Sequence, residues 1–441
     1  AIGDSGASSL KIVGGEGGNS SLYMYSDGGD DNADKWVVEI NQSTNAYDIM
    51  EYSTGSWVKH LSLDANSRIS LSNNDSGTAS TIFGKSAGNA MGGAANRNSF
   101  FGEGAGQILA GSADDNTAIG YHSFDAADGT ESYNTAVGSL SMSAIDEGSG
   151  SANYNTCIGY NAGFGGATAS FSSNVAIGAN ALDGTTTQEI EYVVAIGRNA
   201  LGGAAENEVS GSIAIGLSAL GSLTTGTGNV AVGHQALDAI SGVGYCTAIG
   251  YQALSAACGA DSTAVGYQAL MVNTAGDNTA IGKSALVDMV EGFDNTAVGS
   301  GAMGGALDAT ADGSEANVAI GKNALGGAWV TAVSNNNTAV GSFSMDAAMN
   351  SANNNTAVGS HSLGALTQAV DCVAMGHLAG AAVTTGGNQI FIGKSAGAVH
   401  TTGGNNIAIG TNAMDDTDAG STSLGSLHNV FIGNNSGGGT W

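Results

Sequence analysis

The stretch GDNTAIGKSAL, residues 276–286, sets a Gly-Lys-Ser behind an upstream glycine, the raw material of a loop that wraps phosphate oxygens in backbone N–H groups. That motif needs four residues between its glycines, whereas Gly276 and Gly282 have five between them, as do Gly387 and Gly393. The intervening DNTAI and NQIFI also read as strand where the motif needs loop. GKSAG at 84–88 and again at 393–397 matches GxSxG, the frame that presents a nucleophilic serine on a strand-to-helix turn with His and Asp partners. In both copies the serine, Ser86 or Ser395, occupies a position that varies freely with Asn, Gln or His elsewhere in the chain, so neither is assigned a catalytic role. The seven histidines form no HxH or HxxxH pair, and Cys157, Cys246, Cys258 and Cys372 show no CxxC or Cys/His metal spacing. Packed, reduced thiols are the reading for the cysteines, with a Cys246–Cys258 disulfide as the alternative. His122, His234, His361 and His377 read as solvated turn residues, although symmetry copies of one such side chain meeting on an axis would hold an ion. Acidic stretches such as ADDN, GDN and FDN offer carboxylates to calcium, but the GGxGxDxUx pattern of calcium β-rolls is absent and no metal or cofactor is assigned.

These motifs recur because the chain is a repeat. Aligned on A-[IV]-G, it gives NTAIGYHSF, NTAVGSLSM, NVAIGANAL, STAVGYQAL, NTAIGKSAL and their relatives, twenty copies at spacings of 16 to 23 residues. One residue before the repeat glycine all twenty are apolar, and three after it all twenty are Ala or Ser. Ala stands two before in fifteen copies and Asn four before in thirteen. Alternation of Thr/Val, Ala, Ile/Val, Gly has period two, so the first half of each unit reads as a short strand, the glycine turns the chain, and xxAL supplies a second. A unit this short cannot bury its own apolar residues, but stacked copies can. The prediction is an all-β chain with a parallel β-solenoid over 79–441, about twenty coils at 4.7–4.9 Å each and on the order of 95 Å long. With only two or three bulky apolar side chains per coil the core is thin, and the alanine-rich face predicts that several rods, three of them, pack side by side.

Composition agrees. The 441 residues include 72 glycines and no proline, which suits a backbone whose N–H groups are wanted by ladders of hydrogen bonds. A formal charge of −28 argues against nucleic acid or an anionic membrane as partner and favours solubility. No apolar stretch approaches the roughly 20 residues of a membrane span, and the N-terminus lacks the basic and apolar regions of a signal peptide. Beyond Gly84 there are 27 acidic residues, of which only Glu103 lies within four positions of a repeat glycine. Five of the six bases there, Lys85, Arg198, Lys283, Lys322 and Lys394, sit directly after one, and Arg97 alone is in an arc. The variable arcs therefore read as an acidic crest.

Residues 1–78 lack the repeat. SLYMYS, KWVVEI, AYDIMEY, SWVKHLSL and RISLS are short strand candidates between turn-rich pieces, which predicts a small antiparallel β module, a connector intertwined between chains. Its Trp36, Trp57, Tyr23, Tyr25, Tyr47 and Tyr52 read as core and interface residues.

The unit NTAIGxxAL resembles the NSVAIGxxS repeat of YadA-like trimeric autotransporter heads and, more closely, the NTAVGYQAL arrays of bacteriophage tail fibres. The likeness covers residue 80 onward, and GDDNADKW followed by YSTGSWVKHLSLD resembles a module that precedes such arrays in phage fibres. The resemblance implies left-handed parallel β-rolls wound as homotrimers. Asn116, Asn134, Asn174, Asn278 and Asn295 would form a ladder, Ile119, Val137, Ile177 and Ile281 would fill the roll, and Gly120, Gly138, Gly178, Gly282 and Gly299 would turn it. It further implies a non-enzymatic virion fibre, with itself, other tail or filament proteins and a host-surface glycan or protein as partners. The runner-up readings are a bacterial trimeric surface adhesin and a self-assembling extracellular filament. Two features depart from the autotransporter pattern: the repeat is longer than the adhesin unit, and no membrane β-barrel follows NVFIGNNSGGGTW, an end compatible with loss of a self-cleaving chaperone. A polysaccharide-cutting spike would need paired carboxylates at a defined separation, and arcs of uneven length offer no preferred pair.

Acids stacked coil upon coil repel, and exposed charge is screened within roughly 10 Å at 0.1 M salt. The melting temperature is therefore expected to rise from low to marine-like ionic strength and with calcium. Equal melting temperatures in all three conditions would contradict the acidic crest.

Overall fold

The computed structural model describes residues 18–25, 35–41, 43, 46–53, 56–63, 69–71, 80–89, 95–107, 112–126, 131–145, 152–165, 170–184, 189–203, 209–305, 313–330, 332–415 and 426–438. Nine of the arc acids, among them Asp146, Glu147 and Asp308, lie outside these residues, as does Trp441. The chain divides into two compact units, 1–155 and 156–441.

In the first unit β1 (Ser20–Tyr25), β2 (Lys35–Asn41), β3 (Ala46–Ser53), β4 (Ser56–Leu63) and β5 (Ile69–Leu71) form an antiparallel sheet in chain order. They coincide with the five stretches singled out above. Val37, Ala46 and Asp48 are buried, and Lys59 pairs with Asp48 at 2.8 Å. Among the described aromatics Trp36 and Trp57 are not core within one chain: each is 37% exposed, Trp36 packing on His60 and Trp57 against Tyr23 and Tyr52; the Tyr25 side chain lies outside the described residues. The repeat register begins in this unit with β6 (Thr81–Phe83), β7 (Ser99–Phe101), β8 (Thr117–Ile119) and β9 (Thr135–Val137), paired in parallel.

The second unit is a parallel β-solenoid. Its sixteen three-residue repeat strands run from Thr156–Ile158 to Val430–Ile432. Each is paired residue for residue with the next, for example Thr263↔Thr279, Ala264↔Ala280 and Val265↔Ile281. Arcs add little regular structure; Phe171–Ser172 beside Ile190–Glu191 is the one two-residue ladder among them in the described residues.

Register is fixed at the repeat glycine. Gly120, Gly178, Gly282 and Gly299 all have φ between +131° and +140°, and Gly138 has φ +138°. A Cβ on Gly282 would stand 2.5 Å from the Gly299 carbonyl oxygen of the following coil, and one on Gly120 would stand 2.4 Å from that of Gly138. No side chain fits there. The segment after the glycine is not a second strand, because residues two and four beyond it take left-handed backbone, as at Gln252 (φ 51°) and Leu254 (φ 49°). Its N–H groups are nonetheless spent between coils: Gln252 N–H donates to His234 O at 3.0 Å and Leu254 N–H to Ala269 O at 3.0 Å.

The interior reverses one expectation. Ile119 and Ile281 are each 42% exposed, Val137 and Ile177 are half-buried, and the residue between strand ends, Ala118, Ala136, Ala176 or Ala280, is fully buried. The alternation is real, but its inward set is Asn, Ala and then Ala-Leu beyond the turn. Ile and Val face outward because a coil this narrow has room for an alanine opposite a leucine and little more. Consequently the alanine column is core and cannot be the surface on which neighbouring chains approach.

Interior volume is traded between two positions, except where Ala374 and Gly380 are both small and Phe391 of the next coil reaches the space beside Gly380. Wherever the residue two before the glycine is larger than Ala (Ile82, Phe100, Cys157, Phe391, Phe431), the residue four after it is Gly instead of Leu, Met or Phe. A Cβ on Gly106 would meet the Phe100 ring at 2.6 Å, and one on Gly397 would meet Phe391 at 2.5 Å. Close-packed interiors punish both overfilling and voids. Gly397→Leu is expected to cost about 1–3 kcal/mol by overpacking, and Phe391→Ala about 3–5 kcal/mol by leaving a cavity. The double variant, which recreates the Ala/Leu coil, should be more stable than Phe391→Ala alone in urea denaturation. Additive losses would show that the two positions do not share one space.

Candidate functional site

Strand geometry sorts every coil into columns, because residues at one register position stand above one another. The inner column is polar. Asn116 donates through Nδ2 to Asn98 Oδ1 at 3.1 Å and to Glu131 O at 2.8 Å, and Asn134 does the same to Asn116 Oδ1 and Ala152 O. Asn278 Oδ1 accepts the Asn295 backbone N–H at 3.0 Å, and Asn295 Oδ1 accepts that of Asn317. Asn174 stands in the same column, donating to Ile190 O and accepting from Val193 N–H. All are buried, so these bonds satisfy groups that would otherwise be desolvated at a cost of about 1–3 kcal/mol each.

The phosphate-like segment has spent most of the donors a phosphate loop would use: Gly282 N–H donates to Val265 O at 2.7 Å and Ser284 N–H to Tyr267 O at 2.9 Å, both on the previous coil. Ser395 sits in the same turn with its N–H on His377 O, and Ser86 is exposed at the corresponding place. Nothing in either turn is a strand-to-helix elbow.

Two outer faces carry the chemistry. The first is the column before the glycine, whose exposed members include Ile158, Ile215, Ile249, Ile281, Ile320 and Met375. It is a continuous apolar stripe on the second unit, and large exposed apolar patches mark contact surfaces. The second face follows the glycine, where like side chains stack. His234, Tyr251 and Tyr267 lie ring on ring at 5.3 Å, with Lys283 capping Tyr267, and Gln235, Gln252 and Gln268 are hydrogen-bonded in series. His361 stacks on Phe343 at 5.2 Å, while His122 pairs with Asp125 at 2.5 Å; His377 is exposed.

The acidic residues are not uniformly a solvated crest. Arg97, the lone arc base, clasps Asp115 through Nε and Nη2 at 2.7 Å each, which holds that carboxyl below its ordinary range. Five places after the glycine, Asp183, Asp238 and Asp346 are half-buried against the turn, and burial pushes their carboxyls above the usual value. This position was missed in the sequence because it lies where the arcs begin to vary in length. The four cysteines are buried and form no disulfide; Cys246 Sγ and Cys258 Sγ face one another at 3.6 Å, and burial raises the Cys372 thiol to about 11. Among the described residues no group of three His, Cys, Asp or Glu is arranged to hold a metal, and no helix is long and apolar enough to cross a membrane.

No family model, curated protein or solved structure matches the chain.

His400 is fully buried, with Nε2 3.2 Å from Asn406 Nδ2, and burial lowers its pKa below the ordinary 6.5. Accepting from the amide requires a neutral ring. The unfolded chain therefore binds more protons than the folded one once the pH falls below about 6.5, so stability is lost on acidification through that point. His400→Gln should flatten the dependence of melting temperature on pH between 6.5 and 5; an unchanged slope would remove His400 as its source.

Proposed function

We propose that the chain is a structural, non-enzymatic fibre subunit of a virion, the homotrimeric shaft or head of a phage tail fibre that attaches to a host surface. The observation that carries this reading is the pair of outer faces on one stack of coils: an apolar stripe of Ile and Val, with Met375 among them, suited to burial against copies of the same chain, and a polar, repetitive face left free. Three copies related by a rotation would each turn the stripe inward, supplying the hydrophobic bulk that the narrow alanine–leucine interior lacks. The polar face would then be presented three times on a stiff support, and repetition supplies affinity without one deep pocket. Other tail or filament proteins would hold its end, and the host ligand would be a surface glycan or protein. Nucleic acid and anionic membrane fit neither face, given the net charge of −28. The recurring NTAIGxxAL unit supports a tail fibre over a bacterial adhesin by resemblance alone.

Light scattering of the purified chain is expected to give three times 43.1 kDa. Ile249→Asp, Ile281→Asp and Ile320→Asp together should give a single-chain mass with the β-sheet circular dichroism retained, and a monomeric wild type would overturn the assembly. Immunogold electron microscopy with antibodies to residues 156–441 should decorate thin appendages on virus particles. Decoration of bacterial envelopes free of virus would replace the tail-fibre reading with the adhesin.

A further inference from the structure

Four consecutive coils of the second unit enclose a polar cleft of about 420 Å³ lined by Asn180, Asp183, Asn199, Gly202, Ser218, Gly221, Ser222, Gln235 and Asp238. It arises from two columns. Two places after the repeat glycine stand Asn180, Asn199, Ser218 and Gln235; five places after stand Asp183, Gly202, Gly221 and Asp238. The two glycines remove side chains from the middle of the second column, and an aspartate closes each end. Asp-Gly-Gly-Asp occurs once in that column; the other adjacent glycine pair, Gly304 and Gly326, is preceded by Val287. The floor is crowded at these glycines, since a Cβ on Gly202 would lie 2.9 Å from Asn180 O.

The cleft asks for hydrogen-bond donors. Among the described residues Asn180 Oδ1 and Asp238 Oδ1 are buried atoms without a hydrogen-bond partner. Asn180 spends its amide on Asn199 Oδ1 at 3.4 Å, and Gln235 Oε1 accepts from Gln252 at 3.3 Å. Burial raises both aspartates and outweighs what they receive, the Gly184 N–H at Asp183 and, at Asp238, its own N–H, the Gln235 side chain and nearby His234, so each carboxylate is only partly compensated for the water it has lost. Half-buried carboxylates and amide oxygens in that condition gain from hydroxyl donors. The remaining serine hydroxyls can donate or accept.

We infer that this cleft binds an extended, neutral glycan lying along the stack of coils, with Asp183 and Asp238 accepting hydroxyl groups at its two ends. The aspartates are three coils apart, roughly 14 Å at the strand spacing. That is too far for one metal ion, and it suits a run of two or three sugar units. The volume falls in the range of small-ligand sites, roughly 300–1,000 Å³. An anionic polymer would be repelled by the same two carboxylates. The glycan's origin on a host surface rests on the proposed function; the binding itself does not.

The test uses the full-length assembly against a printed array of bacterial surface polysaccharides, followed by titration calorimetry with an oligosaccharide cut from the strongest hit. Neutral glycans should bind. Asp183→Asn and Asp238→Asn should each weaken binding at least tenfold at an unchanged melting temperature, while Asp346→Asn, in the same column but outside the cleft, should bind as wild type. Absence of any neutral glycan signal, equal binding by all three variants, or binding of spermine in place of sugar would each overturn the inference. Loss of glycan binding with particle labelling intact would leave the fibre standing and remove only this site.

Discussion

The close approach of successive coils at the repeat glycine is the constraint on which the rest of the structure depends. With the carbonyl of the next glycine 2.4–2.6 Å from where a Cβ would be at Gly120, Gly178, Gly282 and Gly299, one residue type is admitted and one register is locked. A locked register makes every side chain a neighbour of its counterpart above and below. Asparagine gains from this, because its amide both donates and accepts, so a column of Asn satisfies itself. Aromatic rings gain too, as His234, Tyr251 and Tyr267 show. Carboxylates lose, since like charges repeat at strand spacing, and this is the physical reason acids cluster where arc length varies and stacking is broken. The absence of proline fits the same constraint, since in the turn alternate N–H groups, as at Gly282, Ser284 and Leu286, are committed to adjoining coils and that of Ala285 to its own coil's glycine.

Much of this was legible in the sequence. Repeat length, strand position, the glycine and the antiparallel strands of the N-terminal segment follow from spacing and period, whereas the asparagine ladder came from the resemblance. The face of each strand was not, because the usual rule sends the most apolar residue inward, and Ile119, Val137, Ile177 and Ile281 are more apolar than the alanines beside them. Coil width overrides that rule: an interior that must hold Leu254 or Phe124 after the turn leaves only a methyl's worth of space on the strand side. The signal that fixes the parity was present all along. Phe100 with Gly106, Cys157 with Gly163, Phe391 with Gly397 and Phe431 with Gly437 trade volume, and residues that trade volume must share a cavity.

The polar cleft was illegible for a different reason. Asp183 and Asp238 are 55 residues apart in a chain with 38 acids, and nothing in their local context sets them apart. They become a pair only once four coils are in register and the two positions between them are seen to be glycine. Paired carboxylates at a defined separation are present after all, though with a spacing and a set of neighbours suited to holding hydroxyls.

Residues two and four places after the glycine, and five before it, take left-handed backbone in coil after coil, with bulky side chains such as Leu220, Met345 and Tyr245 among them. Each departs from its preferred conformation at a cost of roughly 1–2 kcal/mol, so a coil alone would not hold its shape. What offsets this is the adjoining coil, whose carbonyls take the N–H groups that the twisted turn directs along the stack. Stability is therefore a property of neighbours. The same turn settles the division of labour on the surface: the extended strand before the glycine points Ile and Val one way, and the left-handed turn after it carries Asn, Gln, Ser and Asp round to another. An assembly that buries the first face leaves the second exposed, so contacts between copies and recognition of a glycan place no conflicting demand on any one residue.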